Sequence, residues 1–174
     1  MKCRFLIAWI IAVVATQAPL AVAQLPDKES SLQKVFGINW ASDRATLIEQ
    51  FRSRPGIKQE KDFKGNPLFS GGELLGHPAA MWGLEFFGDR LIGADVKLKA
   101  PGDVDKFYDE WQKKLATELG PVGIAKRDGA KRTFTWKTPA GGASGKGEIV
   151  VLQSLPKPSL IQILVHDSEL SKPR

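Results

Sequence analysis

Between Pro101-Gly102 and Gly120-Pro121 the chain runs as one uninterrupted helical stretch. Asp103 stands at the cap position. Val104, Phe107, Tyr108, Trp111, Leu115 and Leu119 then recur at helical spacing. On both sides of this stretch the apolar period drops to two. Ala80, Trp82, Leu84 and Phe86 alternate with Met81, Gly83, Glu85 and Phe87. Gly88-Asp89-Arg90 turns the chain, and Ile92, Ala94, Val96 and Leu98 alternate with Asp95, Lys97 and Lys99. That pattern is a hairpin with one buried face. Beyond the helix come β-rich runs over 131–138, 147–154 (with EIVVL) and 159–166 (with LIQILV). A chain that must bury one helical stripe and several half-apolar strands belongs to the α+β class, with helices on one face of an antiparallel sheet.

A shorter helix is predicted over 43–54, with Ser42 as its cap and Asp43 in its first turn. Ala45, Leu47, Ile48 and Phe51 form its stripe, and Pro55-Gly56 stops it. Val35 to Trp40 reads as a short strand before it. With strands at 66–70, 79–87 and 91–99, the first half (about 35–100) has the order αβββ. The second half (about 101–168) repeats that order, with its helix at 103–119. The expected fold is therefore a duplicated αβββ unit: about six strands in one sheet, two helices on one face, and a single domain over 35–170. Gln24 to Lys34 is expected to be a flexible N-terminal arm.

Residues 1–23 have the form of a secretory leader. Lys2 and Arg4 precede an eleven-residue apolar run, FLIAWIIAVVA, and Ala21-Val22-Ala23 is a small-x-small cleavage site. The run is shorter than the ~20 residues a membrane span needs. Cys3 precedes the apolar run, so it is not placed as a lipidated cysteine. Cleavage after Ala23 removes Lys2, Arg4 and Cys3, lowers the formal net charge from +6 to +4, and leaves a cysteine-free chain. The expected destination is the periplasm or the cell exterior, and the modest charge speaks against a nucleic-acid partner.

Chemistry-bearing motifs are sparse. The stretch from Thr138 to Gly147 misses the phosphate-loop spacing at Ala140 and Gly147, and a strand follows it. Ser144 lacks the second glycine of a nucleophile elbow, because Lys146 stands there. His77 and His166 are the two histidines, with no companion ligands spaced for a metal. No catalytic, cofactor or metal residue is assigned, and no cofactor is expected. Asp103, Asp105, Asp109 and Glu110 read as the water-facing side of a helix, with i,i+4 pairs Lys106/Glu110, Asp109/Lys113 and Glu110/Lys114. Trp82, Trp111 and Trp136 fall on inward stripes and read as core; Trp40 is the least constrained of the four.

The candidate site is the outward sheet face. Lys97, Lys99, Lys131 and Lys137 all fall on it by alternation, and Glu85, Asp95 and Glu148 are expected to share it. The plainer reading is a solvated face with cross-strand salt links to those carboxylates; as a binding face it suits an envelope protein or an anionic surface component: a phospholipid head group, a cell-wall polymer or an acidic protein.

The run Phe36-Gly37-Ile38-Asn39-Trp40-Ala41-Ser42 resembles a recurrent opening, F-G-[aliphatic]-x-W-[small]-S before a helix, of small exported bacterial proteins of uncharacterised function. Phe86-Phe87-Gly88-Asp89-Arg90-Leu91 and Leu115-Ala116-Thr117-Glu118-Leu119-Gly120-Pro121 resemble their strand-turn-strand and helix-stop signatures. The resemblance covers about 40–120; it implies an exported α+β domain and carries no site residues. The αβββ order is also similar in outline to β-lactamase inhibitor proteins, at the level of fold alone. The expected role is an exported, non-enzymatic binding or envelope-associated domain. Two alternatives stand beside it. One is a carrier of a small anionic or lipidic ligand between helices and sheet, lined by Trp82, Phe86, Trp111 and Trp136. The other is a hydrolase with an unrecognised site that uses His77 or His166.

Overall fold

The computed structural model describes residues 29–139 and 141–170. The expected leader and residues 24–28 of the expected arm lie outside these. Among the described residues three helices, α1 (Ser31–Phe36), α2 (Arg44–Arg52) and α3 (Val104–Leu119), accompany nine strands. The strands are β1 (Ile57–Gln59), β2 (Leu68–Gly71), β3 (Glu73–Leu74), β4 (His77–Phe87), β5 (Arg90–Lys99), β6 (Ile124–Asp128), β7 (Lys131–Thr138), β8 (Glu148–Leu155) and β9 (Leu160–Asp167). All paired strands are antiparallel, in the order β1-β2-β4-β5-β9-β8-β7-β6, with β3 beside β4. The α+β class is as expected.

The sheet has nine strands rather than about six, and the αβββ unit does not describe either half. Each half adds a strand at the outer edge, β1 or β6, and the first half also adds β3. Both edge strands lack the signal that marks a half-buried strand: β1 is three residues long, and every residue of β6 is exposed. Charged, short edges of this kind resist pairing with other chains. The two halves meet where β5 pairs with β9, so each supplies a contiguous half of the sheet.

The expected strand at Val35–Trp40 is replaced by α1 and a turn. Ser30 caps α1 by accepting from the Gln33 N–H at 3.1 Å, and Gly37 closes it in the left-handed conformation. Six residues cannot hold a helix alone, so packing must do so. Leu32, Val35 and Phe36 are buried, where a loose arm through residue 34 was expected. Asp43, not Ser42, caps α2, accepting from the Thr46 N–H at 2.9 Å and the Thr46 hydroxyl at 2.6 Å. Asp103 caps α3 as expected.

The helices lie on one sheet face. Phe51 of α2 stacks on Phe69 at 4.9 Å and meets Trp82 edge-on at 5.6 Å. Under α3, Phe107, Tyr108, Trp111 and Leu115 are buried. Trp82, Trp111 and Trp136 are each 1% exposed, and fill the space between helices and sheet. The Trp82 and Trp136 indoles donate to the carbonyls of Gly71 and Gly120, each at 2.9 Å. The acidic face of α3 is tied down by Arg132 of β7, 2.5 Å from Asp109 and 3.4 Å from Asp105, with its guanidinium 4.2 Å from the Tyr108 ring centre. None of the three predicted i,i+4 pairs is among the described ion pairs.

Candidate binding face

Register assigns the side chains of the four central strands to opposite faces. On β8, Val150 and Leu152 point to the helices, and on β9 so do Ile161, Ile163 and Val165, all fully buried. The alternate residues point away: Ile149, Val151, Gln153 and Leu155 on β8, and Leu160, Gln162, Leu164 and His166 on β9, all half-buried. Among the described residues no helix lies over this second face. Five of these eight outward residues are apolar, so the two central strands carry apolar groups on both sides.

Lys97 and Lys99 stand on β5 and Lys131 and Lys137 on β7, all on the helix-free face. They do not form one basic patch. Lys97 and Lys99 are neighbours on their strand, but β9 and β8 separate them from β7. The lysines therefore stand on two margins of the β9–β8 lane, and they share them with carboxylates: Lys97 and Lys99 flank Gln162 and Leu160, Asp95 stands beside Leu164, and Asp128 of β6 lies opposite Lys131. Lys99, Lys131 and Lys137 are exposed and Lys97 is half-buried; none of the described ion pairs involves any of them.

A polar rung crosses the lane. Gln153 donates to Gln162 at 2.6 Å, and Gln162 donates to Asp95 at 2.8 Å. Beside it His166 Nδ1 sits 3.7 Å from Glu85. Two glycines make room for these groups. A Cβ on Gly83 would lie 2.3 Å from Asp95 Oδ1, and one on Gly93 would lie 2.7 Å from His166 Nδ1. Burial raises the Asp95 carboxyl above its ordinary range, against the Gln162 hydrogen bond and the Lys97 charge. Burial lowers the His166 imidazole, against the pull of Glu85 and Asp95.

Glu148 does not share this face, contrary to expectation. It has the parity of Val150 and Leu152, points to the helices, and is 1% exposed. Its carboxylate accepts from the backbone N–H of Ser31 at 2.6 Å, from Leu32 at 3.4 Å, and from the Trp40 indole. These are the first donors of α1, where a negative charge is favoured. Trp40 is thus an anchored, buried residue. The register partner of Glu148, Asp167, is also buried. It accepts from the N–H and hydroxyl of Ser144 at 2.6 and 3.0 Å, and from the N–H groups of Glu169 and Leu170. Burial pushes its carboxyl up, but these hydrogen bonds together hold it below the ordinary range. Asp167 thereby fastens the glycine-rich loop to the end of β9.

The two histidines lie on opposite sides of the sheet. His77 packs edge-on against Trp111 at 5.2 Å and Phe107 at 5.7 Å, on the helix side. His166 lies on the helix-free face. A cleft of about 1020 Å³ opens beside the α1–α2 turn, with Trp40, Asp43, Asp89, Arg90 and Gly142 among its lining; neither histidine lines it.

No protein-family model, curated protein or solved structure matches the chain. The likeness to small exported bacterial proteins rests on the motifs alone. Among the described residues no helix is long and apolar enough to cross a membrane.

Proposed function

We propose that this chain is an exported, non-enzymatic binding module of the cell envelope, and that it engages its partner through the helix-free sheet face. The observation that carries this reading is the double-sided apolarity of β8 and β9. Ile149, Val151 and Leu164 form apolar surface on the side opposite the helices. Contiguous apolar surface of this kind, rimmed by charge, marks interaction sites. The four lysines supply the rim. The filled space around Trp82, Trp111 and Trp136 favours recognition at the surface over a ligand carried between helices and sheet. The separation of His77 from His166, and the capture of Ser144 by Asp167, favour binding over hydrolysis.

The test is a photo-crosslinking amino acid placed at Val151, at Leu164 and, as a control, at Glu110 on the exposed side of α3, in cells that make the protein. Discrete adducts from Val151 and Leu164 but not from Glu110 are expected. Adducts from Glu110 alone, or none from the sheet face, would refute the assignment.

A further inference from the structure

We infer that the cleft between the end of α2 and β3 binds a small zwitterion of α-amino-acid chemistry, free or as a short peptide, with its carboxylate on Arg54 and its ammonium on Glu73. This site is separate from the helix-free face. Arg54 follows the cap of α2 and is half-buried. Its guanidinium lies 4.3 Å from the Phe51 ring centre and 5.9 Å from that of Trp82. One terminal nitrogen donates to the Phe36 carbonyl at 3.0 Å. The Nε and Nη1 atoms have no partner among the described hydrogen bonds, and solvent reaches them. None of the described ion pairs involves Arg54. Burial lowers the guanidinium from its ordinary range. A cation taken partly out of water without a counter-charge is left with donors to satisfy. A planar fork of such donors suits a carboxylate.

Arg54 and Glu73 line the same cleft, of about 680 Å³, a size that suits a small molecule. Glu73 is exposed, and none of the described ion pairs involves it either. Two charges of opposite sign thus share one cleft without pairing with each other. Pro55, Ile57 and Pro78 give the cleft apolar lining. Gly56 and Gly72 contribute backbone alone; both are left-handed, at φ 74° and 68°, and the Gly72 N–H donates to the Gly56 carbonyl at 3.1 Å. The pair of charges selects the ligand. A simple anion that meets Arg54 is repelled by Glu73, and a simple cation that meets Glu73 is repelled by Arg54. A molecule with a carboxylate at one end and an ammonium at the other satisfies both. An apolar side chain between its two ends then lies against Pro55, Ile57 and Pro78.

The experiment titrates the purified, isotope-labelled protein and follows its amide NMR signals. The probes are leucine, the dipeptide Leu-Leu, N-acetyl-Leu-Leu, which lacks the ammonium, Leu-Leu amide, which lacks the carboxylate, and inorganic phosphate. Leucine or Leu-Leu is expected to move the Gly56 and Gly72 amides and not that of Val151, and the tighter of the two gives the ligand's length. Each blocked dipeptide should bind at least about fivefold more weakly than Leu-Leu. Arg54→Gln should abolish binding of Leu-Leu and of N-acetyl-Leu-Leu. Because Arg54 also holds the Phe36 carbonyl, Glu73→Gln provides the variant that leaves the packing intact. It should weaken Leu-Leu at least about fivefold and leave N-acetyl-Leu-Leu unchanged. Equal binding of free and blocked dipeptides overturns the inference, as does no shift at Gly56 and Gly72 with about 10 mM ligand, a dissociation constant far above the millimolar scale. So does phosphate that binds as tightly as Leu-Leu, which makes the cleft an anion site alone. A failure here leaves the crosslinking result at Val151 and Leu164 untouched.

Discussion

Replacing Glu148 should destabilise the protein by an amount set by three donors. The carboxylate is 1% exposed and accepts from Ser31 N–H, Leu32 N–H and the Trp40 indole. The Ser31 bond is 2.6 Å and the Leu32 bond 3.4 Å, so two of the three contacts carry most of the interaction. Hydrogen bonds to a charged group contribute about 1.5–3 kcal/mol each, and buried donors left without a partner cost about 1–3 kcal/mol. Glu148→Ala should therefore cost about 3–5 kcal/mol, and Glu148→Gln, which keeps one acceptor oxygen, about 1–3 kcal/mol. Urea unfolding followed by tryptophan fluorescence measures both. The damage should be local as well. Amide exchange in α1 should accelerate more than in α3, because α1 has six residues and relies on this anchor. A double-mutant cycle with Trp40→Phe should give a coupling of about 1–2 kcal/mol, since the two side chains share one hydrogen bond. If Glu148→Gln unfolds within about 0.5 kcal/mol of the parent, or the cycle shows no coupling, the carboxylate is not what holds α1 and Trp40 in place.

His166 should titrate below about 6.5, and Glu85→Gln should lower it further, because Glu85 favours the charged imidazole; NMR titration of the ring protons reads both. The sign for stability follows. Below about 6.5 the unfolded chain binds a proton that the folded imidazole resists, so stability should fall with pH there until the folded ring protonates. Asp95 should act oppositely at lower pH, since its raised carboxyl takes up a proton in the folded state first. Gly83→Ala should cost about 1–3 kcal/mol by forcing Asp95 away from Gln162, and adding Asp95→Ala should recover part of that loss in thermal unfolding. Arg132→Ala should cost about 1–2 kcal/mol in urea unfolding through the lost Tyr108 and Asp109 contacts, with the expected effect reduced at high salt.

What the sequence made legible follows from which residues answer to a single partner. The α3 stripe, the β4–β5 hairpin and β7 each have one face to bury, so their periods name their structure outright, and their bounds fall within about two residues of those predicted. Elements that answer to something distant do not. The stripe of α1 is too short to show a period, and its first turn is satisfied by Glu148, 117 residues away. The edge strands β1 and β6 bury too little to alternate. Glu148 itself was misplaced because charge predicts an outward side chain, whereas its parity with Val150 and Leu152 points inward. That parity was the available signal. Alternation puts Lys97, Lys99, Lys131 and Lys137 at one parity, but their division into two margins depends on the strand order β5-β9-β8-β7, which pairing across about 70 residues creates. In EIVVL and LIQILV, apolar residues occupy both parities. A strand between two solvated margins has no need of a second apolar side for folding, since the helices already cover the first. The second side is the surface that we propose engages a partner.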